Sequence, residues 1–232
     1  MRLRLNSFYL KLFAVLFMLI DHIAYYMINP ELPAYSIMRI VGRVAAPIFW
    51  FCFVKGYNRT RNKTKYKIRL FCSAAIMSMG NIAIHYICNT NKLSLLKPNM
   101  FFSFLMCAVV IDIVELCVKT KKTWQSALLF ILSIIVVLFI GQHCEYSYFI
   151  ICFVLLYHFV KNDIMKNLLY ILMITALSLL LKAPLQIFAI GSLFFFMIYD
   201  DKKPRHNWKY FFYIFYPAHV WAFVIFAKLL FS

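Results

Sequence analysis

Glycine is scarce, with five in 232 residues, and no ten-residue stretch alternates apolar with polar side chains. A transmembrane β-barrel needs that alternation, so both absences argue against one. Acidic residues are few, 8 Asp and Glu against 25 Lys and Arg. The seven cysteines show no CxxC pair, and Cys52, Cys72, Cys107, Cys117 and Cys152 fall inside apolar runs as packing residues. No ligand spacing suits zinc, so no metal is expected. A GxSxG elbow, a P-loop, a dinucleotide fingerprint and a zinc-protease helix are all missing, as are internal repeats, low-complexity tracts and any segment resembling a soluble domain.

What the chain has is apolar sequence: 64% of its residues are hydrophobic and 19% aromatic. A soluble domain is nearer 45–50% apolar. The fold class is therefore all-α, a polytopic transmembrane helical bundle forming a single domain over residues 1–232. About nine spans can be drawn, at roughly 8–28, 34–54, 70–88, 100–118, 124–141, 146–160, 164–181, 184–199 and 210–230. The sixth and eighth are short for a span of about twenty residues and suit tilted, broken or re-entrant segments. The first is too long for a signal-peptide core and lacks a small-residue cleavage site, so it reads as a retained helix.

A net charge of +17 would suggest nucleic acid in a soluble protein. Here the basic residues lie in short loops, where they set topology and meet anionic lipid. With the N-terminus in the cytoplasm, nineteen Lys and Arg fall on the inner side and four (Lys92, Lys97, Lys182 and Lys228) on the outer. The expectation is a multi-pass protein of the inner (plasma) membrane, N-terminus cytoplasmic, with the lipid bilayer and not nucleic acid as its partner.

Against this background LFMLIDH, Leu16–His22, stands out: an acid and a base side by side in an apolar run. A charge at mid-membrane costs about 2.5–3.5 kcal/mol on insertion scales, so Asp21 needs a partner or a function. Counted inward from the basic end, Asp21 and His22 lie ~20 Å along a helix, toward the outer leaflet. Neighbours on a helix point ~100° apart, so the two can line different sides of one cavity. His22 suits general-base work near neutral pH. Asp21 either orients it or anchors Arg39 or Arg43; the structural alternative is a glue pair. Arg39 and Arg43 share a helix face at i, i+4. Two arginines against one aspartate leave positive charge to hold an anionic ligand or an oxyanion. Gly42 between them permits close approach, and Pro47 can kink the helix. Pro217 is expected to open the last helix locally, turning His219 toward a cavity. Asn99, Tyr146 (after Glu145) and Gln186 add polar groups toward the same outer half. The basic loop Arg59–Arg69 reads first as a topology signal and second as a phosphate contact. Asp112 and Glu115 share a face, with Lys119 placed to pair Glu115.

Three stretches together, LFMLIDHIA, IMRIVGRVAAPIFWF and KYFFYIFYPAHV, resemble the TraX family. The segments TKY at 64–66 leading to Arg69, NMFFS at 99–103 and PLQIFA at 184–189 follow in the expected order. Where the family tends to have Asp-Tyr-Gly and a loop containing Asn-Gly, this chain has Glu145-Tyr146-Ser147 and Tyr199-Asp200-Asp201-Lys202. The resemblance implies an inner-membrane protein of the kind named for N-terminal acetylation of conjugative pilin, within the wider class of integral-membrane acyltransferases. It implies acetyl-CoA as acyl donor, and it matches Asp21, His22, Arg39, Arg43, Pro217 and His219 to shared motif positions. The expected activity is N-acetyl transfer to an exported peptide or pilin. His22, Asp21 and His219 would be catalytic, and Arg39, Arg43, Asn99, Tyr146 and Gln186 would bind donor or acceptor. The rivals are O-acyl transfer to a surface glycan or glycolipid, and a non-enzymatic transporter or assembly factor.

Overall fold

The computed structural model describes residues 4–88, 99–120, 123–143, 146–202 and 208–231. Arg2, Lys92, Lys97, Lys121, Lys122, Glu145, Lys203, Arg205 and His206 lie outside them, as do the side chains of His143, Ser147 and Lys209. The described residues form helices joined by short turns, with one isolated bridge between Leu5 and Tyr199. The helices are α1 (Ser7–Met27), α2 (Pro33–Gly42), α3 (Ala45–Arg59), α4 (Lys63–Cys88), α5 (Met100–Lys119), α6 (Thr123–His143), α7 (Ser147–Phe159), α8 (Asp163–Leu180), a 3-10 helix (Pro184–Ser192), α9 (Leu193–Met197) and α10 (Lys209–Phe231).

Among the described residues six stretches are long and apolar enough to cross a membrane: α1, α2–α3 together, α4, α5, α8 and α10. The apolar stretches Thr123–Phe139, Tyr148–Phe159 and Pro184–Met197 are shorter. The eighth sequence segment is indeed broken, winding as 3-10 before a single turn of α9. The second is broken too, at Arg43–Val44. Pro47 has no N–H to offer the carbonyl four residues earlier, that of Arg43, and its ring crowds that carbonyl. The last segment departs from expectation: α10 runs on through Pro217. Pro217 removes a single bond from the ladder of a long apolar helix, and such helices tolerate this.

Asparagine starts four of these helices by accepting orphan N–H groups. Asn6 caps α1 through Phe8 and Tyr9 N–H. Asn62 takes Lys65 N–H at 2.8 Å at the start of α4. Asn99 takes Phe102 N–H in α5, and Asn162 takes Ile164 and Met165 N–H in α8.

The core is built around α3, which packs on α1, α5 and α7. Trp50, Phe51, Phe153, Tyr157, Tyr170 and Phe196 form a continuous column of ring contacts between α3, α7, α8 and α9. In lipid, where helices gain little from burying apolar surface against each other, this close packing carries association. α10 returns to lie between α1 and α4. There the indole of Trp221 lies over Gly80, where any Cβ would collide with the ring, and its Nε1 donates to Asn81 Oδ1 at 3.0 Å.

The helix ends that carry basic residues meet at one end of the bundle. Leu5 exchanges backbone hydrogen bonds with Ile198 and Asp200. Arg4 pairs with Asp200, and Arg59 with Asp201. Lys67 Nζ bonds Asp112 at 2.6 Å, and Tyr57 donates to the same carboxylate. Glu115 accepts from Lys63 at 3.2 Å and Lys119 at 3.3 Å, and lies 3.0 Å from His158 Nε2. This network joins α3, α4, α5 and α7. The basic loop is thus partly committed, with Arg59, Lys63 and Lys67 holding carboxylates while Arg61 and Lys65 are exposed.

Candidate active site

Toward the other end, α1, α2 and α10 bring together residues far apart in sequence. Asp21 is 7% exposed. Arg39 Nη1 donates to its Oδ2 and Arg43 Nη2 to its Oδ1, each at 2.6 Å. Arg43 Nε also donates to the carbonyl of Arg39 at 3.2 Å, closing the triad. The side chain of Asp21 occupies the space where a Cβ on Gly42 would stand. Glycine there lets α2 approach α1 closely enough for both guanidiniums to reach one carboxylate. Of the two roles open to Asp21, the structure selects the anchor: it holds both arginines and makes no bond to His22.

His22 is oriented from the opposite side, by a residue 197 positions away. Its Nδ1 lies 2.8 Å from His219 Nε2. The two rings are parallel within 11° with centroids 4.9 Å apart. That separation exceeds the N···N distance by about two ring radii, so the imidazoles meet edge to edge, as a hydrogen bond requires. His219 Nδ1 in turn lies 2.8 Å from the carbonyl oxygen of Phe215. A carbonyl only accepts, so the proton of neutral His219 is on Nδ1 and its Nε2 is the acceptor. His22 then carries its proton on Nδ1, leaving a lone pair on Nε2, which has no hydrogen-bond partner among the described residues.

His22 and Asp21 border a cavity of about 20 Å³ with Met18, Gly42, Phe49, Met100, Tyr146 and Tyr216. That is room for about one water. His219, Arg39 and Arg43 stand behind this lining, His219 buried and stacked against Phe215. Tyr146 precedes α7 in the left-handed region, φ 62°. For a residue with a Cβ this costs about 1–3 kcal/mol, and such outliers gather at functional sites. Phe49, Met100 and Tyr216 also border a second, aromatic cavity of about 100 Å³ that extends to Lys11, Tyr66 and Phe212 on the side of the basic end. At its far end the Lys11 ammonium lies over the Phe212 ring and the Arg69 guanidinium over Tyr66, at 5.2 and 5.6 Å. Neither cation has an ion pair among the described residues, and Arg69 Nε is buried without a hydrogen-bond partner.

The structure therefore gathers Asp21, His22, Arg39, Arg43, Tyr146 and His219. Asn99 sits beside Met100, but its side chain serves the scaffold: besides capping α5 it donates to Ala74 O at 2.9 Å and Ser78 Oγ at 3.1 Å on α4. Gln186 lies in the 3-10 helix, which packs on α2 and α8. Sequence reasoning passed over Phe49, Met100 and Tyr216. Tyr216 had a signal, standing directly before Pro217; Phe49 and Met100 look like any packing residue.

Residues 7–227, holding every residue of this site, match the model of the TraX protein family. The chain belongs to the TraX family. The probable fimbrial assembly protein FimC, serogroup H1, of Dichelobacter nodosus is 29% identical, with 93% of each chain covered. RP591 of Rickettsia prowazekii (strain Madrid E), an uncharacterized protein, is 55% identical over 49 residues, which is 21% of this chain and 17% of that one. No solved structure matches this TraX-family chain.

Proposed function

We propose that this TraX-family protein is a membrane acetyltransferase that moves an acetyl group from acetyl-CoA to an amine, the N-terminus of a pilin or another exported peptide. The observation that carries the reading is His22: a general base with its lone pair on Nε2, oriented by His219, at a cavity beside a triad with one surplus positive charge. The D. nodosus relative, with its name in fimbrial assembly, supports an acceptor of the pilin kind.

The proposed topology has all nine apolar segments entering the membrane with the N-terminus cytoplasmic. Gathering of Arg4, Arg59, Lys63, Lys67 and Lys119 at one end supports it, since basic ends stay inside. The aromatic cavity then runs from the cytoplasmic side toward His22. Lys11 and Arg69 are the cations left to meet the phosphates of acetyl-CoA, a better match than the committed part of the Arg59–Arg69 loop. The acetyl thioester would pass Phe49, Met100 and Tyr216 to reach the base.

In the reaction, the acceptor nitrogen attacks the thioester carbonyl while His22 Nε2 takes its proton. The C–N bond forms, and the oxyanion develops beside the positive surplus of Asp21, Arg39 and Arg43. The C–S bond then breaks with its electron pair on the CoA sulfur, and His22 returns the proton to that thiolate. His219 accepts from His22 Nδ1 throughout and so stabilises the transient imidazolium.

The test is transfer of isotope-labelled acetyl from acetyl-CoA to a peptide with a free N-terminus, in proteoliposomes. A product carrying the label in an amide, stable to mild base, is expected. A base-labile ester on a glycan acceptor moves the function to O-acyl transfer. Ligand-dependent flux without labelled product supports the transporter or assembly role and overturns the enzyme.

A further inference from the structure

A third cavity, larger than the two above, takes no part in this chemistry. It lies at the basic end and measures about 420 Å³, within the ~300–1,000 Å³ range of ligand pockets. On α3 it is lined by Phe51, Val54 and Lys55, whereas the cavity leading to His22 is lined by Phe49, Cys52 and Phe53. Those two sets are opposite faces of one helix, so α3 separates the cavities.

Four charged side chains line this cavity, two of each sign, and the carboxylates are the more exposed. Lys166 is drawn in, its side chain 13% exposed, while its partner Asp163, at 2.9 Å, stands on the rim at 89%. With its carboxylate solvated, the pair contributes only about 0–1 kcal/mol, so an incoming anion competes for Lys166. Lys55 has no ion pair among the described residues; its ammonium rests over Phe51 and Tyr199, 5.4 and 5.5 Å from the ring centroids. Asp201, also on the rim, is already bonded by Arg59. Tyr157 OH and Asn167 Oδ1, 3.2 Å apart, add neutral polar groups. The lining thus offers two ammonium groups, Lys55 without an ion pair and Lys166 with a solvated one, while the carboxylate of Asp201 is taken by Arg59.

The rim is apolar. Ile164 and Met197 both line the cavity and are exposed. From Ile164 an exposed stripe continues along α8 through Leu168 and Leu172, four residues apart. A ligand with an anionic head and an apolar tail fits both features, and basic pockets between spanning helices take anionic headgroups.

We propose that this cavity binds the phosphate headgroup of an anionic phospholipid, held by Lys55 and Lys166, with an acyl chain laid along Ile164, Leu168 and Leu172.

Native mass spectrometry of the full chain tests this, with phosphatidylglycerol and phosphatidylcholine of the same acyl chains titrated in detergent. The wild type is expected to retain phosphatidylglycerol at concentrations where phosphatidylcholine is lost. Lys55→Ala/Lys166→Ala is expected to weaken that retention about tenfold, Lys55→Arg/Lys166→Arg to restore most of it, and the exposed-charge control Arg61→Ala/Lys65→Ala to leave it intact. If the alanine pair does not fold, Lys55→Gln/Lys166→Gln is read in its place. Equal retention of both lipids, or an equal loss in the control, overturns the site. Displacement of the lipid by millimolar inorganic phosphate reassigns the cavity to a soluble phosphate ester and overturns the lipid assignment.

Discussion

Two charged clusters lie at opposite ends of this bundle, and they differ in one respect that matters. At the basic end Asp112 and Glu115 face Lys63, Lys67, Lys119 and His158, and none of these borders any of the three cavities described above. At the other end a single carboxylate faces two guanidiniums, and Asp21 and the adjacent His22 border the same cavity. The first cluster staples four helices. The second has charge and a lone pair left over, next to space. Ion pairs in a membrane protein become a site only when something in them remains unspent and reachable.

The comparison breaks most severely at Asp21. Asp21→Asn leaves two guanidiniums without their counter-charge, and removing one partner of a buried pair costs about 3–5 kcal/mol. A large fall in thermal stability in detergent is expected; unchanged unfolding would show that Asp21 is not the anchor. Gly42→Ala strikes the same contact sterically, at about 1–3 kcal/mol for an overpacked methyl, and is read in the same melting experiment. His219→Phe keeps the aromatic packing but removes the acceptor for His22 and the donor to the Phe215 carbonyl. Losing one orienting hydrogen bond slows transfer roughly tenfold with little change in stability, and His219→Gln, whose carbonyl can still accept, recovers part of the rate. Recovery separates positioning from packing, which glutamine would not rescue.

At the basic end the effects are smaller. Glu115→Gln weakens partly exposed pairs worth about 0–1 kcal/mol and leaves transfer intact. Asp201, beyond the spanning helices, is the pH-sensitive member. The Arg59 guanidinium holds its carboxyl below the ordinary value of 3.8. A lowered folded-state value means the Arg59–Asp201 pair stabilises the fold above the ordinary carboxylate range, and that contribution is lost as pH falls through the folded value. Asp201→Asn should therefore lower the melting temperature slightly near neutrality and make no difference once Asp201 is protonated in both the folded and the unfolded chain.

Much of this was legible in the sequence. The spacing of Arg39, Gly42 and Arg43 announced a shared face aimed at Asp21, because both the i, i+4 geometry and the cost of an intramembrane carboxylate are local facts. The pairing of His22 with His219 was not: it depends on α10 returning beside α1, and Pro217 marked His219 as facing a cavity without saying which residue it meets. Asn99 misled for a physical reason. An asparagine before an apolar run looks like a polar site residue, yet it is also the preferred start of a helix, the role Asn6, Asn62 and Asn162 play. Lys11 read as a topology charge, and Arg69 as one residue of a loop read first for topology and second for phosphate, until the aromatic cavity beside them was visible.

The most direct measurement is single-turnover acetyl transfer by His22→Ala in protein shown to be folded. If His22 Nε2 is the base, the rate falls by about 10²–10⁴-fold while the melting temperature stays near that of the wild type. Transfer at the wild-type rate would contradict the central claim, and the staple and the site would then be two clusters of one kind.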